Sequence, residues 1–345
     1  MKSLYNQIES KLSTIDFSAL YPGFKRFPFA LYDNHTVTMA SQTFAKDNRF
    51  IGNTAIAWEN DYLAIWSIDD AKAPHDVNLL TAKIVHEMFH AFQYTNQESR
   101  FPNELDALFY VYDSYNLSLK HQENILLTQI IDGNLTLFKD FLAIRKTRHH
   151  HFKKQAMYEA KTEMIEGMAQ KIELEVLKQL NFQAYHNALK QLKKRITNIS
   201  KLLPIRQISY DIGTALFHVL DRLNITYKTP FKETKLTVSE QLIAESKMPL
   251  KPLFIDDTVQ AHIESFNQKR LNIIDDHRQN TNKIIEGPLT LLGLDPMHCF
   301  GIDNEIYCPH FLMFKNQNQT QTLKQPVLFT VDQKGIITQI LIAQK

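Results

Sequence analysis

Cysteine is almost absent from this chain: Cys299 and Cys308 are the only two in 345 residues. That scarcity excludes a disulfide framework and fits a reducing compartment. Long apolar runs are missing as well, since no stretch of about 18 uncharged apolar residues occurs, so nothing is expected to span a bilayer. The first residues, Met-Lys-Ser-Leu-Tyr-Asn-Gln-Ile-Glu-Ser-Lys-Leu, spread their charges through an amphipathic helix start and lack the apolar core of a signal peptide. The expected location is cytoplasmic. An excess of one charge is also lacking: 39 basic residues nearly balance 37 acidic ones, which points to neither nucleic acid nor a membrane surface as a partner.

What is present is an ordinary globular composition, 44% hydrophobic and 22% charged, in a chain long enough for a large core arranged as two lobes. Residues 27–68 carry short β-type runs, with Thr54–Trp58 and Tyr62–Trp66 reading as a hairpin around Glu59-Asn60-Asp61. From Asp76 to about residue 223 apolar residues recur at helical spacing with few glycines or prolines. Breaks at Phe101-Pro102-Asn103, Asp132-Gly133-Asn134 and Leu203-Pro204 divide that block into packed helices. A further amphipathic helix is expected over 258–279, and the tail looks β-rich, with Val327–Val331 and Ile336–Ile342 flanking the turn Asp332-Gln333-Lys334-Gly335. The fold class is α+β: a small N-terminal sheet over 1–75, a mainly helical block over 76–246, and a β-containing C-terminal lobe over 247–345.

Chemistry concentrates at residues 86–90, His-Glu-Met-Phe-His. Helix positions four apart differ by about 40° around the axis and about 6 Å along it, so His86 and His90 direct both imidazoles at one point. Such a clamp, completed by a carboxylate, suits one zinc ion. Glu87, on the same turn, stands where a general base takes a proton from an attacking water. Leu80, Ile84, Val85, Met88, Ala91 and Phe92 surround the motif; three polar side chains in so apolar a helix are costly without partners.

A third ligand is required. A histidine continuation is absent, because Gln93 and Asn96 stand where that pattern needs Gly and His, and Gly213-Thr214 leads to Phe217 rather than an aspartate. There remains the helix over 155–180, where Glu159, Glu163 and Glu166 fall at i, i+4 and i+7 on one stripe. Gly167 and Ala169 put small residues beside the last carboxylate, as expected where helices approach closely.

His86-Glu87-x-x-His90 followed by Glu163-x-x-Glu166-Gly167-x-Ala169 resembles the gluzincin zinc metallopeptidases. The resemblance covers about residues 50–220 and implies a zincin-like catalytic core. His86, His90 and Glu166 would bind zinc, Glu87 would be the base, and Glu163 or Glu159 would orient a ligand imidazole by accepting its other N–H. The separation of 76 positions from His90 to Glu166 implies inserted helices over about 102–150. Gln170 replaces the aspartate that supports a ligand histidine in the thermolysin-like branch, so that support must differ. Tyr210, in Tyr-x-x-Gly at a helix start, is similar to the tyrosine of the aminopeptidase branch, whose phenol donates to an oxyanion. Gly52-Asn53-Thr54-Ala55-Ile56 lacks the carboxylate by which that branch holds a free amine, yet Asn53, Thr54, Ala55 and Ile56 can pair with an extended peptide as an edge strand. The expected activity is hydrolysis of a peptide or small amide. The competing reading is a zincin-fold binding or regulatory protein that keeps the metal and has lost turnover.

Two features stand apart. The basic run Arg145–Lys154 reads as solvated surface, or else brings Arg145 or Arg148 to a substrate carboxylate or to the glutamate stripe. His298-Cys299 and Cys308-Pro309-His310 fit no zinc-ribbon spacing and read as buried thiols at a hairpin.

Overall fold

The structure is a computed structural model that describes residues 1–40, 42–69, 76–228, 231–317 and 319–343. Helices α1 (Lys2–Leu12) and α2 (Phe17–Leu20) lead into strands β1 (Phe29–Tyr32), β2 (Thr36–Met39), β3 (Gln42–Ala45), β4 (Thr54–Trp58) and β5 (Asp61–Ser67). The helical block comprises α3 (Val77–Thr95), α4 (Glu104–Leu108), α5 (Ser114–Ile131), α6 (Phe138–His151), α7 (Lys153–Thr162), α8 (Met168–Leu180), α9 (Phe182–Thr197), α10 (Ile205–Arg222) and α11 (Val238–Glu245). Helix α12 (Asp257–Gln279) precedes β6 (Thr281–Leu294), β7 (Phe300–Ile302), β8 (Glu305–Cys308), β9 (Leu312–Asn316), β10 (Gln319–Leu323), β11 (Val327–Val331) and β12 (Ile336–Ala343). The α+β class is as the sequence implies.

The N-terminal sheet has the order β3-β2-β1-β5-β4, with β1 and β5 parallel and the other neighbours antiparallel. Alternation sorts its side chains: Phe29, Leu31, Ala64 and Trp66 face the helical core, while Ala30, Tyr32, Leu63 and Ile65 cover the other face with Phe50. The expected hairpin is present with Trp58 opposite Asp61, so Asp61 is a strand residue and the turn is Glu59-Asn60. The core on the helix side runs without interruption from Tyr5 to Ile263, so residues 1–75 and 76–246 share one interior. The boundary at 75 itself lies outside the described residues.

The C-terminal sheet, ordered β10-β9-β6-β12-β11-β8-β7, is antiparallel throughout. Its own core, built on Ile306, Phe314, Phe329, Ile337 and Ile340, meets the helical block at Leu108 of α4. Helix α12 ties the two together, with Val259 and Ile263 in the main core and His277 Nε2 hydrogen-bonded to Leu341 O at 3.0 Å.

Between α7 and α8 the helix does not stay α. Glu163–Gly167 forms a turn of π-helix, a device that inserts one residue into an otherwise continuous helix. An extra residue is worth about 100° of rotation, so Glu166 leaves the face occupied by Glu159 and Glu163.

Candidate metal centre

Helix α3 is built to bury its polar triad. Asp76 caps it, accepting from the amides of Asn78 and Leu79 at 2.7 and 3.0 Å, and nearly every residue from Leu80 to Gln93 is buried. His86, Glu87 and His90 are 9%, 8% and 7% exposed. Opposite them, the π turn swings Glu166 inward. Nε2 of His90 is 3.1 Å from Nε2 of His86 and 3.2 Å from Glu166 Oε2, and the third edge, His86 Nε2 to Glu166 Oε2, is 3.9 Å. The point equidistant from the corners of such a triangle lies about 2.0 Å from each, within the zinc–nitrogen and zinc–oxygen range of about 2.0–2.2 Å.

The surroundings assign the nitrogens. Gln93 Nε2 donates to Ile165 O at 3.2 Å, which turns Gln93 Oε1 toward His90, whose Nδ1–H donates to it at 2.8 Å. His86 Nδ1 faces Glu173 Oε2 at 3.4 Å, an ion-pair distance aligned poorly for a hydrogen bond. With both Nδ1 atoms turned to acceptors, both Nε2 atoms converge on Glu166 Oε2, where a proton on His90 Nε2 bridges to the carboxylate when no metal is bound. A cation satisfies that arrangement.

Arg206 of α10 holds the outer edge of Glu166. Its Nη2 donates to Glu166 Oε1 at 3.1 Å and to the Tyr210 hydroxyl at 3.2 Å, while Nη1 pairs with Glu104 at 2.9 Å. Oε1 is thereby occupied and Oε2 is left for the histidines. Helix α10 comes this close because Gly213 rests on Gly167: a Cβ added at Gly213 would lie 2.5 Å from Glu163 O and 2.8 Å from Gly167 Cα. Gly213→Ala is therefore expected to cost about 1–3 kcal/mol and to weaken metal binding, as read by denaturant midpoint and metal titration; wild-type values for both would refute the close approach.

Burial would by itself lower the His90 imidazole, but the charge and hydrogen bond of Glu166 outweigh it, helped by Glu87 and Gln93, and push it up to about 9. The same contact holds Glu166 well below the ordinary carboxylate range against its own burial. The metal-free site thus carries a proton on His90. Its stabilising effect is complete below about pH 6.5, the ordinary imidazole value, and is lost as pH rises through about 9. A metal ion binding here would have to displace that proton, so its affinity should rise about tenfold per pH unit between about pH 6.5 and 9. Calorimetry at pH 7 in buffers of different ionisation enthalpy should register about one proton released per metal ion; no release would contradict the assignment.

Burial raises the Glu87 carboxyl, the two histidines oppose this, and Glu166 and Glu173 add to it. Burial followed by Glu166 pushes the Tyr210 phenol well above its ordinary range, with Arg206 opposing, so it remains a donor. Tyr94, one turn beyond His90, is raised by burial and then by Glu166 and Glu87; it is sandwiched between Tyr62 and Phe101, both at 5.2 Å.

Glu159 and Glu163 take partners other than the His86 and His90 imidazoles, so the expected orienting role is not supported. The π turn leaves them facing α5 and α6, in a buried network with Lys120, Glu123, Arg145 and Arg148. Arg148 Nη2 meets the Glu159 oxygens at 2.6 and 2.7 Å, Lys120 Nζ meets Glu159 Oε2 at 2.6 Å, and Arg145 Nη1 meets Glu163 Oε2 at 2.6 Å. The solvated reading of the basic run fails for Arg145 and Arg148, each 2% exposed; these arginines do meet the glutamate stripe. The groups that contact His90, His86 and Glu166 are instead Gln93, Glu173 and Arg206, none of which belongs to the sequence motif. Each has a spacing signal, since Gln93 follows His90 by three, Glu173 follows Glu166 by seven and Arg206 precedes Tyr210 by four. Gln170 turns to Asp211 Oδ1 at 2.8 Å. Of the expected edge strand, Thr54, Ala55 and Ile56 lie in β4 at the sheet edge, and Asn53 precedes it, accepting from Ser67 N at 2.8 Å. A cavity of about 440 Å³ touches Glu173 and another of about 290 Å³ touches Arg206, but neither is lined by His86, Glu87 or His90.

Among the described residues no helix is long and apolar enough to cross a membrane. No protein-family model, curated protein or solved structure matches the chain.

Proposed function

We propose that this protein is a zinc-dependent peptidase that hydrolyses a peptide or small amide bond, of the gluzincin type. The observation carrying the reading is the convergence of His86 Nε2, His90 Nε2 and Glu166 Oε2, with a buried carboxylate, Glu87, next to the first ligand on the same helix. A zinc ion held there supplies a Lewis acid that makes water nucleophilic at neutral pH and polarises a carbonyl. Glu87, whose burial raises its proton affinity, takes the proton of the attacking water and returns it to the leaving amine. Tyr210 keeps its proton and donates to the developing oxyanion, an interaction stronger in the transition state than in the substrate. Arg206 positions both Glu166 and Tyr210. Strand β4, at the sheet edge, offers main-chain pairing to an extended substrate.

The zinc-loaded chain, incubated with a mixed peptide library and followed by mass spectrometry, should generate fragments. Chelation should stop cleavage and zinc restore it. A chain that keeps zinc and cuts no peptide would refute the peptidase reading and favour a metal-retaining binding protein.

A further inference from the structure

The open end of the β7–β8 hairpin carries a second group of ligand-type side chains. Phe300 and Tyr307 are its last paired residues there. Just beyond them the thiols of Cys299 and Cys308 lie 2.7 Å apart, and beyond these the two arms carry His298 and His310. Asp295 joins them: its Oδ2 is 2.7 Å from His298 Nδ1 and 2.6 Å from His310 Nδ1. The two rings lie 4.6 Å apart at 65°.

The loop fixes this carboxylate. Asp295 Oδ1 accepts from the Met297 amide at 3.0 Å, and its carbonyl accepts from the amides of His298 and Cys299 at 3.3 and 3.0 Å. Two imidazoles hydrogen-bonded to one carboxylate is the simpler reading of the contacts. It gives no reason, however, why segments 295–298 and 310 should each turn the same ring nitrogen to the same oxygen, the one that the backbone leaves unused. Two imidazoles and a carboxylate match the donor chemistry of a first-row divalent ion better than that of calcium or magnesium, which prefer oxygen alone. The side chains of His298 and His310 are 44% and 54% exposed, so the group is open to solvent. His298 also lines the cavity of about 290 Å³, which leaves room for a fourth ligand.

The geometry points to a second metal site, in which Asp295, His298 and His310 bind a divalent transition cation of the zinc class and clamp the open end of the β7–β8 hairpin. It shares no residue with the group formed by His86, His90 and Glu166 and does not rest on the peptidase reading.

Zinc content after gel filtration tests it on the full chain. Wild type should carry two zinc ions, His298→Ala/His310→Ala one, and His86→Ala/His90→Ala one. If the α3 centre is the mistaken one, wild type carries a single zinc that disappears in His298→Ala/His310→Ala and persists in His86→Ala/His90→Ala. Zinc should also slow amide hydrogen exchange in β7 and β8 of wild type and leave it unchanged in His298→Ala/His310→Ala. A zinc content that His298→Ala/His310→Ala does not lower, or hairpin exchange indifferent to zinc in wild type, overturns the site.

Discussion

Glu87→Gln should keep its zinc and lose peptide hydrolysis by about 10²–10⁴-fold, the usual worth of a positioned general base. The substitution preserves size and hydrogen-bonding capacity while removing the proton acceptor. It leaves His86, His90 and Glu166 in place, so metal content isolates the chemical step from binding. The pH dependence sharpens the test. Burial raises the Glu87 carboxyl, so hydrolysis by wild type should fall in acid as that group protonates, and the residual rate of Glu87→Gln should lack this limb. Activity within a few-fold of wild type, with zinc retained, would move the base elsewhere.

The second large effect concerns stability. Lys120, Arg145 and Arg148 face Glu123, Glu159 and Glu163 with every member at most 2% exposed, and the three positive charges balance the three negative ones. Arg145 donates to both Glu123 and Glu163, through Nε to Glu123 Oε1 at 2.8 Å and Nη1 to Glu163 Oε2 at 2.6 Å, and also to Ser239 Oγ at 2.7 Å. Arg145→Met keeps much of the packing volume but leaves buried Glu163 without its guanidinium partner and Glu123 with Arg148 alone, at 3.1 Å. Removing one partner of a buried pair costs about 3–5 kcal/mol, which should appear as a lower denaturation midpoint with an unchanged denaturant slope. Arg145→Met/Glu163→Gln should recover part of the loss, because the neutralised carboxyl no longer needs its partner. A single substitution costing under about 1 kcal/mol, the scale of an exposed pair, would mean that water reaches the network.

The helical block, the β4–β5 and β11–β12 hairpins and the clamp at His86 and His90 are legible in the sequence because each rests on local periodicity or on spacing within one helix. Glu166 is legible as one carboxylate of a candidate stripe. The stripe itself misleads: i, i+4, i+7 assumes an unbroken α-helix, and the π turn at Glu163–Gly167 separates Glu166 from Glu159 and Glu163 without leaving any mark on hydrophobic periodicity. The partners of those two glutamates lie in a run, Arg145–Lys154, whose composition reads as surface. Only the packing of α5 and α6 against α7 reveals that Arg145 and Arg148 point inward. Gly167 was readable as a close-approach residue, but its counterpart, Gly213, becomes apparent only when α10 is seen crossing it. In the tail, the spacing of Cys299 and Cys308 matches no zinc ribbon, and the proximity of Asp295 to His310 is a product of hairpin geometry that linear spacing does not express.

The most direct test of the account is zinc retained after gel filtration by Glu166→Gln and Glu163→Gln, each compared with wild type in a His298→Ala/His310→Ala background so that only the α3 centre is counted. About one zinc per chain is expected for wild type and for Glu163→Gln, whose carboxylate faces Arg145, and a loss of roughly 10–100-fold or more in zinc affinity for Glu166→Gln, at least that expected for disturbing a ligand's support. Zinc lost from Glu163→Gln and kept by Glu166→Gln, or absent from all three, would contradict it.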